Sequence, residues 1–231
     1  MKMGFLISML KTILRYPFKE YKRWKNKRFH DHFQKHGFEA LAQFDSCLNR
    51  HNIDYSLAFG TLLGAIREHD FIPHDDDIDI AMWIDDYTPD LRKYLEEDGF
   101  ELKHSFTVDN DKFGKEDTYY YNGVQLDIFY FYKGEEGTVY CCDFVNMPGC
   151  STREKSLKKY GCLLPRKLFL PLTKDVIRTS FKGIKVSVPS NYEEILSFRY
   201  GSDYMTPKVG WRPNTKYIVP QENKRGIYYE Y

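Results

Sequence analysis

Polar and apolar residues alternate at the start of the segment 77–83, which reads Asp-Ile-Asp-Ile-Ala-Met-Trp. Successive side chains of a β-strand point to opposite faces of its sheet, so the segment is predicted to be a strand. Asp77 and Asp79 then share one face, whereas the intervening isoleucines are directed into the core. The chain must therefore build a sheet in which one face carries carboxylates.

Helix-like and strand-like segments alternate in the first half of the chain, and several strands follow one another in the second half. This order predicts an α+β fold with a mixed β-sheet and flanking helices. The predicted helices cover residues 38–50, 61–67, 88–99 and 190–200, and the predicted strands cover 54–59, 77–83, 100–106, 117–121, 124–131, 138–144 and 184–188. The C-terminal residues have no clear periodicity.

Charge divides the chain into two parts. Its 231 residues, 42% of them apolar and 29% charged, suit one soluble domain with an extension. The net charge of +1 hides a basic arm over residues 1–36, with a net charge of +8, and a remainder with −7. We predict an arm (1–36) and a catalytic domain (37–231). The acidic domain excludes a nucleic-acid partner, because it would repel a phosphate backbone.

The basic arm also carries apolar and aromatic residues, as a helix lying on an anionic membrane does. An amphipathic helix packed on its own domain is the alternative. The uncharged run before Lys11 is too short to cross a bilayer, and no cleavage site of a signal peptide follows it.

Five cysteines without a C-x-x-C pair indicate reduced thiols. The expected location is the cytoplasm, with peripheral contact to the inner membrane face.

A phosphate site is predicted where the strand 54–59 meets the following helix. Gly60 and Thr61 stand at this corner, where backbone N–H groups of a helix N-terminus attract anions and glycine leaves room for a ligand. Arg67, one to two turns further on, offers a guanidinium to the same phosphates. An ordinary turn is the alternative for the Gly-Thr pair alone.

A metal site is predicted at Asp77 and Asp79, because two carboxylates side by side on one strand repel each other unless a cation lies between them. Mg²⁺ (or Mn²⁺) is the expected cofactor, held by these carboxylates and by substrate phosphates. An acidic surface loop and a calcium loop are the alternatives. The calcium loop fails at its sixth and twelfth positions, which hold Ile80 and Asp86 instead of Gly and Glu.

A third carboxylate, Asp127, interrupts the otherwise apolar strand 124–131 together with Gln125. An Asp in a buried strand is expected to be paired, hydrogen-bonded or close to a metal. If this strand neighbours 77–83, Asp127 completes a cluster of three carboxylates that binds metal or accepts the proton of an attacking hydroxyl. A structural hydrogen bond is the alternative.

These motifs together resemble the LicD family, which includes phosphocholine transferases and is related to fukutin-type proteins. The resemblance rests on four segments, with His74 standing where relatives commonly have Trp. They are Phe-Gly-Thr-Leu-Leu-Gly-Ala-Ile-Arg (59–67), Phe-Ile-Pro (71–73), Asp-Asp-Asp-Ile-Asp-Ile (75–80) and Leu-Asp-Ile-Phe (126–129). The similarity also reaches residues 192–207, where 199–207 resembles a later Tyr-Gly and Met-Pro segment of the family. It implies a nucleotidyltransferase-like fold, phosphates at the glycine corner and Mg²⁺ on the strand carboxylates.

The resemblance also implies the reaction. An alcohol phosphate, phosphocholine or similar, is transferred from a CDP-alcohol donor such as CDP-choline to a sugar hydroxyl of a cell-surface glycan. The acceptor would be a glycan or lipid-linked sugar of capsule, lipopolysaccharide or teichoic acid. One alternative is a nucleotidyltransferase that moves NMP from an NTP and releases pyrophosphate. The other is a non-catalytic glycan-binding module at the membrane surface.

Overall fold

A nine-stranded sheet organises the described part of the chain, which comprises residues 27–208 and 215–231 of the computed structural model. A separate two-stranded hairpin and several helices accompany this sheet. The predicted α+β fold with a mixed sheet is therefore confirmed. Residues 1–26, which hold most of the predicted basic arm and its amphipathic helix, lie outside the described residues.

The helices are α1 (residues 27–50), α2 (Phe59–Arg67), α3 (Leu91–Glu97), α4 (Arg153–Tyr160) and α5 (Tyr192–Tyr200). The strands are β1 (Ser56–Leu57), β2 (Asp77–Trp83), β3 (Glu101–Val108), β4 (Gly114–Tyr121), β5 (Val124–Lys133), β6 (Val139–Val145), β7 (Leu164–Phe169), β8 (Val176–Phe181), β9 (Ile184–Pro189), β10 (Ile218–Pro220) and β11 (Ile227–Glu230).

Strand β5 is the element around which the sheet is built. Its first part pairs with β4 on one edge and, in parallel, with β2 on the other, while its end pairs with β6. The other strand pairs of the described residues are antiparallel, and the sheet curls along the order β10-β7-β6-β5-β4-β3-β11. A strand with neighbours on both edges and buried faces needs a nearly continuous apolar sequence, which β5 has.

Helix α1 extends further towards the N-terminus than the predicted helix 38–50. Phe33 is 1% exposed and meets Phe71 edge-on, with ring centroids 4.8 Å apart. Leu41 and Phe44 continue the same buried stripe. The boundary predicted between residues 36 and 37 lies within this helix, because the change in charge that suggested it occurs where the chain is already packed on the core.

A buried polar cluster joins α1 to the hairpin β8–β9. Asp45 on α1 accepts hydrogen bonds from the Tyr55 hydroxyl (2.6 Å) and from the Arg178 guanidinium. Arg178 also donates to the Ser187 hydroxyl at 3.0 Å. Since Asp45 is 9% exposed, the guanidinium satisfies a carboxylate that would otherwise be buried without a cation.

None of the helices in residues 27–208 and 215–231 combines the length and the apolar character that crossing a bilayer requires.

Several elements differ from the prediction. The segment 54–59 forms only the two-residue strand β1, and α2 begins at Phe59 instead of Thr61. Helix α5 begins at Tyr192 with Asn191 as its N-cap, whereas the predicted helix begins at residue 190. Helix α4 and strands β7, β8, β10 and β11 were not predicted. Helix α4 and strands β8, β10 and β11 are short and mostly exposed, so the alternation of buried and exposed residues that marks an element in the sequence is missing from them. Strand β7 is more buried, but its sequence Leu-Pro-Arg-Lys-Leu-Phe does not alternate.

Candidate active site

Three carboxylates converge on one face of the central sheet. The parallel register sets Asp79 directly opposite Asp127. Asp77 lies two residues before Asp79 on β2 and therefore on the same face of the sheet. One oxygen from each of the three lies within 4.8 Å of the others. Ile78 and Ile80 point to the opposite face and are fully buried. The expected three-carboxylate cluster is present in the structure, because β2 and β5 are neighbours.

The residues that the structure describes supply no cation to the cluster. Within the described residues, no Lys, Arg or His nitrogen lies within 4.0 Å of these three carboxylates. Burial raises the pKa of Asp77 to about 6, with the charge of Asp127 adding to the increase. Burial, and then the charge of Asp77, also raise the pKa of Asp79 well above its ordinary value. An oxygen-preferring divalent cation would remove this repulsion, so the donor set fits Mg²⁺ or Mn²⁺.

Neighbouring groups hold the carboxylates in place. Gly60 donates its N–H to Asp79 Oδ2 (3.2 Å), and the backbone N–H of Asp79 donates to Thr61 Oγ1 (2.9 Å). Asp127 accepts from the Thr118 hydroxyl (2.6 Å) and from Gln125 Nε2 (2.8 Å). Burial raises the pKa of Asp127, and these two hydrogen bonds oppose that increase because they favour the charged form of the carboxylate.

The corner at the start of α2 differs from the prediction in its detail. Thr61 is fully buried, and its hydroxyl fixes β2, so this side chain does not face a phosphate. Gly60 does reach the surface of a neighbouring pocket, although its N–H is directed at Asp79. Phe59 begins the helix with a φ of 42°, in the left-handed region. This backbone conformation turns the chain from the short strand β1 into α2.

A pocket of about 870 Å³ lies beside the carboxylate cluster. Arg67 lines it, with Nε on Glu68 (2.7 Å) and Nη1 towards the carbonyl oxygen of Tyr204 (3.4 Å). The structure thus places Arg67 and Gly60 on one pocket, as expected. The remaining lining comes from α2, from the loop before β2 and from the segment after α5, and includes Leu63, Ile72, Pro73, His74, Tyr200, Thr206, Pro207 and Lys208.

Asp75 is a further residue of the site, and its place there was not predicted from the sequence. Its Oδ2 is buried without a hydrogen-bond partner among the described residues, and its side chain lines the pocket. Burial and the charge of Asp77 raise its pKa to about 7. A Cβ at Gly60 would lie 2.9 Å from Asp75 Oδ1, so glycine is what lets this carboxylate reach the pocket. Asp75, Asp77 and Asp79 occupy every second position of the sequence, and this spacing is the signal from which the place of Asp75 in the site could have been predicted.

Two tyrosines of the pocket lie far from the carboxylates in the sequence. Tyr200 ends α5 and Tyr204 follows it, and both line the pocket with Arg67. Burial raises the pKa of Tyr200 to about 12, and the charges of Asp79 and Asp75 add to this increase. The aromatic walls and the guanidinium of Arg67 suit a phosphorylated, ring-containing ligand.

The family model described as the LicD/FKTN/FKRP nucleotidyltransferase domain matches residues 52–191. This range contains both aspartate strands, the glycine corner and the parallel pair β2–β5. The chain therefore belongs to the LicD family.

Two kinds of relative are similar to this chain. The ribitol-5-phosphate transferases FKTN of Macaca fascicularis and Homo sapiens are 29% and 28% identical over 201 residues, which is 85% of this chain. The alignment covers 38% of each of these proteins, so the chain spans about two fifths of their length. The lipopolysaccharide cholinephosphotransferase LicD of Haemophilus influenzae is 53% identical over 47 residues, 20% of this chain and 18% of that protein.

Proposed function

We propose that the chain transfers an alcohol phosphate from a CDP-activated donor to a sugar hydroxyl of a cell-surface glycan. Asp77, Asp79 and Asp127 hold Mg²⁺ or Mn²⁺, and the pocket beside them binds the donor. The names of the relatives, a ribitol-5-phosphate transferase and a cholinephosphotransferase, support transfer of this kind. A nucleotidyltransferase-like fold is part of the same proposal and is supported by the family model.

The observation that carries the proposal is the contact between cluster and pocket. Gly60 lines the pocket and donates to Asp79, and Asp75 lines the pocket beside Asp77. A diphosphate in the pocket would lie beside a cation held by Asp77, Asp79 and Asp127, and Arg67 offers it a fixed positive charge. Phosphoryl transfer is driven mainly by this positioning and charge neutralisation.

The reaction exchanges one oxygen for another at the phosphorus atom that carries the alcohol. The acceptor oxygen bonds to this phosphorus and the bond to CMP breaks, with the two oxygens in line. The bound cation supplies neutralisation of the charge on the phosphate oxygens. Asp127 orients the acceptor hydroxyl, whose proton passes to the carboxylate cluster.

The first experiment measures the melting temperature with CDP-choline, CDP-ribitol and CDP-glycerol, each with and without Mg²⁺. A ligand that binds only the folded state stabilises it by about 2.7 kcal/mol at a hundredfold excess over its dissociation constant. We expect a Mg²⁺-dependent increase with one CDP-alcohol, which identifies the donor. The absence of any increase would support the non-catalytic alternative.

The decisive variant is Asp77→Asn, which keeps the shape of the side chain and removes its charge. We expect turnover of the donor to fall at least about a hundredfold, because one ligand of the cation is weakened. The fold should persist, since the variant lowers repulsion within the cluster. Turnover close to that of the wild type would contradict the proposal.

A second function deserves the same assay, because the matching family model is described as a nucleotidyltransferase domain. A nucleotidyltransferase would bind one of the four NTPs and release pyrophosphate. Release of CMP with transfer of the alcohol phosphate distinguishes the proposed reaction from this one.

The proposal also includes the arm 1–36, whose net charge of +8 suits an anionic membrane surface. Peripheral contact with the cytoplasmic face of the membrane would bring the enzyme to lipid-linked acceptors.

A further inference from the structure

The sheet face that carries the aspartates continues well beyond them. Residues directly opposite each other in paired strands point to the same face. The register sets His104 opposite Thr118, Thr118 opposite Asp127 and Asp127 opposite Asp79. One face therefore runs from the carboxylate cluster across β5 and β4 to β3, and on to the edge strand β11.

At its far end this face carries a group of partly exposed side chains that the proposed mechanism does not use. We call Tyr120, His104, Tyr228 and Arg153 the distal patch. The rings of His104 and Tyr228 have centroids 5.5 Å apart, and the guanidinium carbon of Arg153 lies 4.8 Å from the Tyr228 centroid. Buried Phe106 packs against both rings, at 5.3 Å from each, and supports the patch from within.

Arg153 is the cation of the patch. No carboxylate of the described residues lies within 4.0 Å of its guanidinium, although Glu154 and Glu230 are nearby. Burial lowers the pKa of His104 to about 4, and the charge of Arg153 contributes to this decrease. The imidazole is therefore neutral at pH 7, and Arg153 supplies positive charge beside the rings of His104 and Tyr228.

A hydrogen-bond chain connects the patch to the cluster. The Tyr120 hydroxyl donates to Gln125 Oε1 at 2.8 Å, and Gln125 Nε2 donates to Asp127 Oδ2 at 2.8 Å. With about 4.8 Å between neighbouring strands, His104 lies about 10 Å from Asp127 across the sheet, and Tyr228 about 14 Å. This is the reach of a short oligosaccharide whose terminal hydroxyl is at the cluster.

The donor pocket lies elsewhere. Its lining comes from α2, the loop before β2 and the segment after α5, and includes no residue of the distal patch. An in-line displacement needs the attacking oxygen and the leaving group on opposite sides of the phosphorus. Two binding surfaces that meet only at the carboxylates satisfy this requirement.

Resting on the proposed function, we infer that the distal patch binds an anionic acceptor glycan. A sugar ring stacks on Tyr228 and His104, and Arg153 binds a phosphate or carboxylate group carried by that glycan. Aromatic rings offer flat apolar faces to the ring, while a guanidinium matches the geometry of either anion. The inference assigns acceptor recognition to β3, β4, β11 and α4.

The test uses the full chain and an array of neutral, phosphorylated and uronic-acid oligosaccharides. We expect the wild type to prefer the anionic glycans, and the phosphorylated and uronic-acid members of the array identify the anion. Tyr228→Ala should reduce binding to all glycans about tenfold or more, as expected for the loss of a stacking contact of about 1.4 kcal/mol. Arg153→Gln should remove only the preference for anionic glycans.

Matched controls are Tyr229→Ala, on the next residue of β11, and Lys155→Gln, an exposed residue of α4. Both should bind glycans as the wild type does. The stabilisation by CDP-alcohol and Mg²⁺ should be unchanged in all four variants, because none of these residues lines the donor pocket.

Three results would overturn the inference. The first is that the wild type binds no anionic glycan of the array. The second is that Tyr228→Ala and Arg153→Gln bind glycans as strongly as the wild type does. The third is that the control variants lose as much binding as the patch variants. Failure of the proposed function gives a different result, namely no donor stabilisation in the wild type. Loss of glycan binding in the patch variants would then still support the distal patch as a glycan site.

Discussion

Thr61 and Asp79 show how single residues prepare the site. The Thr61 hydroxyl is buried and accepts the backbone N–H of Asp79, while Gly60 donates to the Asp79 carboxylate. Two of the three residues predicted to hold phosphates, Gly60 and Thr61, thus fix one member of the carboxylate cluster. The sequence indicates that the Gly-Thr motif belongs to a functional site. It does not show whether the threonine hydroxyl bonds to a neighbouring strand or to a ligand.

Thr61→Val tests this positioning. Valine keeps the shape of the side chain and leaves the Asp79 N–H without its acceptor, so we expect a loss of about 1–3 kcal/mol in the free energy of unfolding. The stabilisation by Mg²⁺ should decrease as well, since Asp79 is less well fixed. Urea unfolding with and without Mg²⁺ measures both effects. Thr179→Val, at a partly exposed position of β8, is the control and should change neither quantity.

The raised pKa values of the carboxylates predict how pH acts on metal binding. Burial raises the pKa of Asp77 to about 6 and that of Asp75 to about 7, from 3.8. Without a cation, the folded state holds protons that the unfolded state has lost, so its stability falls as the pH rises through this range. A divalent cation needs the deprotonated carboxylates and relieves their repulsion.

We therefore expect the increase in melting temperature caused by Mg²⁺ to grow between about pH 5 and pH 8. Thermal unfolding at several pH values, with and without Mg²⁺, measures this dependence. In Asp77→Asn the dependence should be weaker. An equal Mg²⁺ effect at both ends of the range would contradict a cation on these carboxylates.

At the scale of elements, prediction succeeded where burial leaves a pattern. The strand β2 has the predicted bounds, and β5 differs only by two residues at its end, because both are central strands with distinct faces. Strands β8, β10 and β11 are mostly exposed and leave no such pattern. Three carboxylates of the site were predictable for the same reason. Tyr200 and Tyr204 were not, since only the tertiary fold brings the segment after α5 to the pocket.

The junction of α1 with the hairpin β8–β9 yields a prediction about stability. Asp45→Ala removes the acceptor of the Tyr55 hydroxyl and the partner of Arg178. We expect a loss of about 2–3 kcal/mol in the free energy of unfolding, because a buried hydrogen bond to a charged group is lost. Donor binding should persist, since no residue of this cluster lines the pocket. Asp54→Ala, at an exposed position, is the control for chemical denaturation.

For the whole molecule, the arm is the part whose function depends on charge. Because Phe33 belongs to the core, a truncation at residue 36 would damage the fold, and a deletion of residues 1–26 avoids this. These 26 residues have a net charge of +6. We expect the deletion to abolish binding to vesicles containing phosphatidylglycerol while donor binding remains.

Flotation with vesicles measures this binding, and vesicles of phosphatidylcholine alone are the control for charge. Added salt should weaken binding of the full chain, because it screens the attraction. Undiminished flotation of the truncated protein would show that the arm is not the membrane contact.

The parallel pairing of β2 with β5 also has a consequence for how the protein folds. Its partners come from distant parts of the chain, since Asp79 pairs with Asp127. Contacts between residues so far apart in the sequence form slowly, because closing the intervening loop costs entropy before the pair gains stability. The three carboxylates do not come together until this closure is complete. A partly folded chain in which β2 and β5 have not yet paired therefore lacks the proposed site.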